Sequence, residues 1–165
     1  MFTRILLALD GTESGEVAVS FTTALARQSG SSVRVIHVNE LLVGGRGYAS
    51  ETERESMGIV DQAVGLLRGE GVAADGVHYL ANCFTIADRI AEAATGWGAD
   101  LIVLGSRRRR WLTRFRGAGL RERVTGITGL PVLAAPAPLK MARRNLDREL
   151  ELLPTAPVGT QSIVS

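Results

Sequence analysis

Cysteine, lysine and histidine are nearly missing from this 165-residue chain: Cys83 is its one cysteine, Lys140 its one lysine, and His37 and His78 its two histidines. A lone cysteine excludes an internal disulfide framework and any multi-cysteine zinc site. Cys83 lies near apolar residues and reads as a buried, inert thiol, the alternative being an exposed thiol beside the crevice that senses oxidants. Each histidine sits inside a strand-like stretch with no second histidine at ligand spacing, so both read as ordinary strand residues and no metal site is expected. Long apolar runs are missing too. Ile5–Leu9 ends at Asp10, far short of the ~20 residues a spanning helix needs, and no small-residue cleavage site follows. The expectation is a soluble, cytoplasmic protein without membrane contact. Catalytic signatures are also wanting. There is no G-x-x-x-x-G-K-[S/T] loop, no G-x-G-x-x-G after the first strand and no G-x-S-x-G elbow, which Gly11–Gly15 resembles only superficially. No catalytic residue is assigned.

What the chain does have is an ample apolar fraction, 45%, enough for one packed domain. It also has an uneven charge. Residues 107–123 carry eight arginines and one glutamate, a net +7, which leaves −5 for the rest of a chain whose total is +2. Arginine forks suit carboxylates and phosphates. The segment Arg107–Arg123 is therefore a candidate contact for an acidic protein partner, or for a triphosphate gripped by Arg107 or Arg108. Nucleic acid is disfavoured, because the interleaved aromatics are only Trp111 and Phe115 and the remainder is acidic. The bland alternative is a solvated loop.

The apolar pattern alternates between strand and helix. Ile5–Leu9 reads as a strand buried on both faces, and Val17, Phe21, Ala24 and Leu25 as a helix stripe closed by Gly30. Val33–Val38 is a second strand, followed by a glycine cluster at Gly44–Gly47 that reads as a mobile loop. A helix from about Thr52 to Arg68 presents Met57, Val60, Val64 and Leu67 on one side. Val72–Leu80 is a third, interrupted strand. Ile86, Ile90, Ala93 and Trp97 mark the next helix, Leu101–Leu104 a fourth strand, Leu120, Val124 and Ile127 a short helix, and Pro131–Ala135 a fifth strand. This β-α-β-α-β-α-β-α-β order predicts a parallel sheet with helices on both faces. Ligands of such sheets bind beyond the strands' carboxyl ends, at the switch point. Residues 1–136 form the predicted domain. Residues 137–165 are a C-terminal extension, partly helical or disordered, with a stripe of Leu139, Ala142, Leu146, Leu150 and Leu153.

Four segments, Ile5–Glu13, Val35–Val38, Gly98–Ser106 and Pro131–Leu133, together resemble the universal stress protein family. That resemblance implies a five-stranded α/β sheet of order 3-2-1-4-5, adenine nucleotide α-hydrolase-like, with strands one and four adjacent. It also implies homodimers paired through the last strand and a role in surviving stress. Many members bind ATP through G-x2-G-x9-G-[S/T] after the fourth strand. Here Gly105 supplies the first glycine, Arg108 stands at the second, and Ala118-Gly119 replaces the final pair. Phe84-Thr85-Ile86 stands where the family has Gly-x-Pro, and Phe84 is a candidate to fill the adenine space. By resemblance, the candidate nucleotide-binding residues are Asp10, Val38, Gly105 and Gly119, and the phosphate-gripping chemistry of arginine adds Arg107 and Arg108.

A loop glycine lets backbone N–H groups approach a phosphate, and Arg108 puts a long side chain there instead. The expectation is therefore a non-enzymatic, homodimeric stress-response protein with a degenerate nucleotide site and a partner-binding role. No cofactor is assigned. The alternative is a sensor of ATP or another adenine nucleotide that uses arginine side chains in place of the lost glycines.

Overall fold

The computed structural model describes residues 1–9, 11, 14–42, 48–105 and 119–136. In chain order these form β1 (Arg4–Leu9), α1 (Ser14–Ser29), β2 (Ser32–Leu42), β3 (Tyr48–Ala49), α2 (Glu53–Gly69), β4 (Ala74–Asn82), α3 (Ile86–Trp97), β5 (Leu101–Leu104), α4 (Leu120–Thr128) and β6 (Val132–Ala134). The parallel strands lie in the order β4-β2-β1-β5-β6, which is the expected 3-2-1-4-5. Strands one and four, β1 and β5, are neighbours, with Ile5 opposite Leu101 and Ala8 opposite Leu104.

The period-2 alternation of a strand sorts β1 between two layers. Ile5, Leu7 and Leu9 pack with Val19 of α1 and Val60 and Leu67 of α2. Leu6 and Ala8 pack with Ile86 and Ile90 of α3 and Val124 of α4. Because both faces are covered, the run is apolar throughout instead of alternating. Handedness gives the reason for the split. Right-handed crossovers running outward from β1 to β2 to β4 put α1 and α2 on one face, and the reversal toward β5 and β6 puts α3 and α4 on the other.

Local signals set the ends of the elements. Thr52 caps α2: its hydroxyl accepts from Glu55 N–H at 3.3 Å, while the Glu55 carboxylate accepts from Thr52 N–H at 2.7 Å. This is a reciprocal capping box. Gly98 and Gly129 end α3 and α4 in the left-handed region, at φ 73° and 67°. At the opposite end of the sheet, Asp100 ties the start of β1 to the turn before β5. It accepts from Thr3 N–H at 2.7 Å, Thr3 Oγ1 at 2.8 Å and Arg4 N–H at 3.0 Å.

Several details depart from the sequence reading. β2 runs on to Leu42, four residues past Val38, and pairs there with β3, a short strand that the sequence pattern did not suggest. Met57 and Ile127 are about half exposed, so they lie at the edges of their helix stripes and not in the core. Ala24 is exposed as well. Cys83 is half-buried instead of enclosed. The Gly44–Gly47 cluster, most of the arginine-rich segment and the extension 137–165 lie outside the described residues. Among the described residues, no helix is long and apolar enough to cross a membrane.

Candidate functional site

The carboxyl ends of β1, β2 and β5 meet at the switch point of the sheet. There, Gly105 N–H donates to Ala8 O at 3.1 Å, so the chain leaving β5 stays beside β1. Gly105 does not have positive φ, and a Cβ on it would stand 3.6 Å from Ala8 O, an ordinary contact. Neither its conformation nor its packing therefore demands glycine.

Val38 is buried, with its side chain in the α3/α4 layer. Its backbone direction follows from parity. Ser32 N–H donates to Thr3 O, so even-numbered residues of β2 turn their backbone groups toward β1. The same parity accounts for Ser50 N–H donating to Glu40 O. β3 thus lies on the β1 side of β2, beyond the point where β1 stops. Val38 sits between the last residue of β1 and this added strand.

Gly119 is the N-cap residue of α4, extended at φ −63° and ψ 169°, with no side-chain cap. The crossover from β5 to β6 puts this helix N-terminus at the same end of the sheet, with first-turn N–H groups that suit an anion. Val38, Gly105 and Gly119 are thus all placed at one end. Asp10, Arg107 and Arg108 lie outside the described residues. Phe84 does not plug a pocket: its side chain is 66% exposed, and its carbonyl accepts from the Arg123 guanidinium at 3.0 Å.

A cluster that the sequence reading passed over lies beside this end. His37 is not an ordinary strand residue. It is 1% exposed, with Nδ1 3.1 Å from Leu9 O and Nε2 2.6 Å from Glu51 Oε2. Both ring nitrogens thus have a hydrogen-bond partner. Asn39, two residues on, uses its whole amide. Its Nδ2 donates to Glu51 O at 2.7 Å and Ser56 Oγ at 3.0 Å, and its Oδ1 accepts from Ser50 Oγ at 3.0 Å and Glu51 N–H at 3.3 Å. The Ser56 hydroxyl donates in turn to Glu51 Oε2 at 3.3 Å.

The effect is to clamp the β3–α2 connection over the end of β1. Gly11 records how tightly. Its φ is +70°, and a Cβ on it would lie 2.9 Å from Ile59 Cδ1, 3.1 Å from Glu51 Oε1 and 3.3 Å from His37 Cε1. A signal for this cluster was present in the sequence. Val33, Val35, His37 and Asn39 share one face of β2, so two polar residues continue an apolar face and demand buried partners. Among the described residues, no group of three acidic, cysteine or histidine side chains is placed to hold a metal ion.

A model of the universal stress protein family matches residues 1–136. The chain belongs to that family. Among solved structures, a universal stress protein family member from Burkholderia pseudomallei is 25% identical, with a TM-score of 0.64, covering 82% of this chain and 96% of that one. The universal stress protein from Archaeoglobus fulgidus, solved in complex with dAMP, is 23% identical with a TM-score of 0.60, covering 81% and 98%. A universal stress protein family protein from Arabidopsis thaliana, solved with AMP bound, is 14% identical with a TM-score of 0.58, covering 84% and 94%. These last two likenesses show the universal stress protein fold. No curated protein matches the chain.

Proposed function

We propose that this universal stress protein is a non-enzymatic, cytoplasmic stress-response protein that acts by binding partners, with a degenerate nucleotide crevice. One observation carries the reading: the protein's own atoms hold the ground beyond β1. Ile59, Glu51 and His37 crowd the Gly11 Cβ position, and β3 lies on the β1 side of β2, farther along than the end of β1. The sequence adds Arg108 and Ala118 where the family's ATP loop has glycines. His37, the histidine beside the end of β1, is committed to Leu9 and Glu51, so it is no free general base. Pairing of two copies along β6 is supported by that strand's pairing, among the described residues, with β5 alone, and by Leu133, which is 38% exposed. The sequence of Arg107–Arg123, with eight arginines and one glutamate, is the proposed contact for an acidic protein partner. The test is to denature freshly purified protein and assay the supernatant for adenine nucleotide. None above trace stoichiometry supports the reading, and nucleotide approaching one per chain contradicts it.

A second reading, an adenine-nucleotide sensor, has its own observation. The N-terminus of α4 at Gly119 lacks a side-chain cap, and its N–H groups could receive a phosphate. Relatives solved with dAMP and AMP share the fold. No residue is assigned to a cofactor beyond the candidates Asp10, Val38, Gly105, Arg107, Arg108 and Gly119. On this reading Asp10→Ala weakens ATP binding at least tenfold, and an unchanged affinity sinks it.

A further inference from the structure

Among the described residues the sheet has a second open edge, at β4, opposite β6. Val33 N–H donates to Ala73 O at 2.9 Å, and Val33 is in register with Ala74. Odd-numbered residues of β4 therefore bond to β2, and even-numbered ones point their backbone groups away from the sheet. The first of these is guarded: Arg68 Nε donates to Ala74 O at 2.8 Å, and the neighbouring Asp75 is held by Arg34. Beyond them the guard stops. From Gly76 to Asn82 the sequence Gly-Val-His-Tyr-Leu-Ala-Asn contains no Lys, Arg, Asp, Glu or Pro. Gly76, His78 and Leu80 each turn one N–H and one C=O outward, and these groups take no partner among the described residues. Native sheet edges are usually blunted by charge, proline or a bulge, and this stretch has no charge or proline.

We infer that this edge is a self-association surface, on which β4 pairs antiparallel with β4 of a second copy about a two-fold axis at His78. The register argues for a second copy of this chain. With His78 opposite His78 of the other copy, Gly76 falls opposite Leu80 and Leu80 opposite Gly76, so all six outward backbone groups close as hydrogen-bonded pairs. The side chains fit the same register. Gly76 has no side chain because Val60 Cγ1 and Val64 Cγ2 of α2 lie over it. Leu80 points to the same face of the sheet and is 53% exposed. In the pair, each Leu80 lies beside the other copy's Val60 and Val64. The surface deepens the partner-binding reading but is separate from the β6 edge. If both edges pair, dimers are joined into longer assemblies, and if only β4 pairs, the protein is a dimer.

The test is cross-linking of the full chain carrying His78→Cys in a Cys83→Ser background, with sedimentation of Leu80→Lys alongside. Directly opposed residues in such a pair have Cα atoms about 5.5 Å apart, within the ~4.4–6.8 Å range a disulfide spans. The account expects diamide to convert most of the His78→Cys protein into a disulfide-linked dimer. It expects Leu80→Lys, at an exposed site that leaves the fold intact, to lower the sedimenting mass at micromolar concentration, to the monomer if β4 alone pairs and to the β6-paired dimer if both edges pair. No cross-link and an unchanged mass in Leu80→Lys overturn the inference, as does uptake of another protein's strand in place of a second copy. Leu133→Asp reports on β6 separately, so failure at one edge is distinguishable from failure at the other.

Discussion

His37 Nε2 stands 2.6 Å from Glu51 Oε2, joining the middle of β2 to the connection before α2 across a span that local sequence does not bridge. The ring is buried and its other nitrogen faces Leu9 O, so removing it leaves a partly buried carboxylate with only the longer Ser56 hydroxyl contact among the described side chains. His37→Ala should cost about 1–3 kcal/mol of unfolding free energy in denaturant titration. Glu51→Gln should cost less, because a neutral His37 can keep its Nδ1–H on Leu9 and accept from the new amide at Nε2. Equal losses in the two variants would mean that the pair is not held as described.

Thr22 makes the opposite case. It lies fully buried on the inner face of α1, and its hydroxyl has no hydrogen-bond partner among the described residues. Thr22→Val keeps the shape and removes the orphaned group. It should therefore raise stability by about 1 kcal/mol, roughly 2–4 °C in Tm. A fall in Tm would show that the hydroxyl is paired.

Gly76 is a glycine because of packing. Its φ is not positive, yet a Cβ would collide with Val60 Cγ1 and stand 3.0 Å from Val64 Cγ2. Gly76→Ala should destabilise by about 1–3 kcal/mol through overpacking. In Val60→Ala the same substitution should cost much less, and a double-mutant cycle in urea measures the difference.

Acid should loosen the opposite end of the sheet. Burial pushes the Asp100 carboxyl up, but hydrogen bonds from Thr3 and Arg4 outweigh it and hold the carboxyl below its ordinary value. The hydrogen-bonded Arg34 guanidinium likewise holds Asp75 low. A carboxylate lowered on folding adds stability above its unfolded pKa of about 3.9, and this is lost as pH falls through the folded value. Asp100→Asn should therefore flatten the decline in Tm below about pH 4 and lower Tm at pH 7. A parallel decline in both proteins would remove Asp100 from the account.

The fold could be read from the chain because its signals are local. Ile5–Leu9 and Leu101–Leu104 are continuous apolar runs, and Gly98 and Gly129 stop helices where positive φ is needed. The candidate site was legible only in part. Val38, Gly105 and Gly119 came from a motif, and the structure puts them at one end of the sheet. The His37–Glu51 clamp and β3 depend on contacts across loops whose residues carry no helix or strand period, so periodicity was silent there. Phe84 is a candidate to fill the adenine space on its apolar character alone, and its side chain is exposed, because direction is not encoded in residue type.

The central claim is that the nucleotide crevice is degenerate, and calorimetric titration of the purified protein with ATP, with and without magnesium, tests it most directly. The account predicts no saturable heat up to millimolar ATP. Saturable binding that weakens in Asp10→Ala would contradict it and make this universal stress protein a nucleotide sensor.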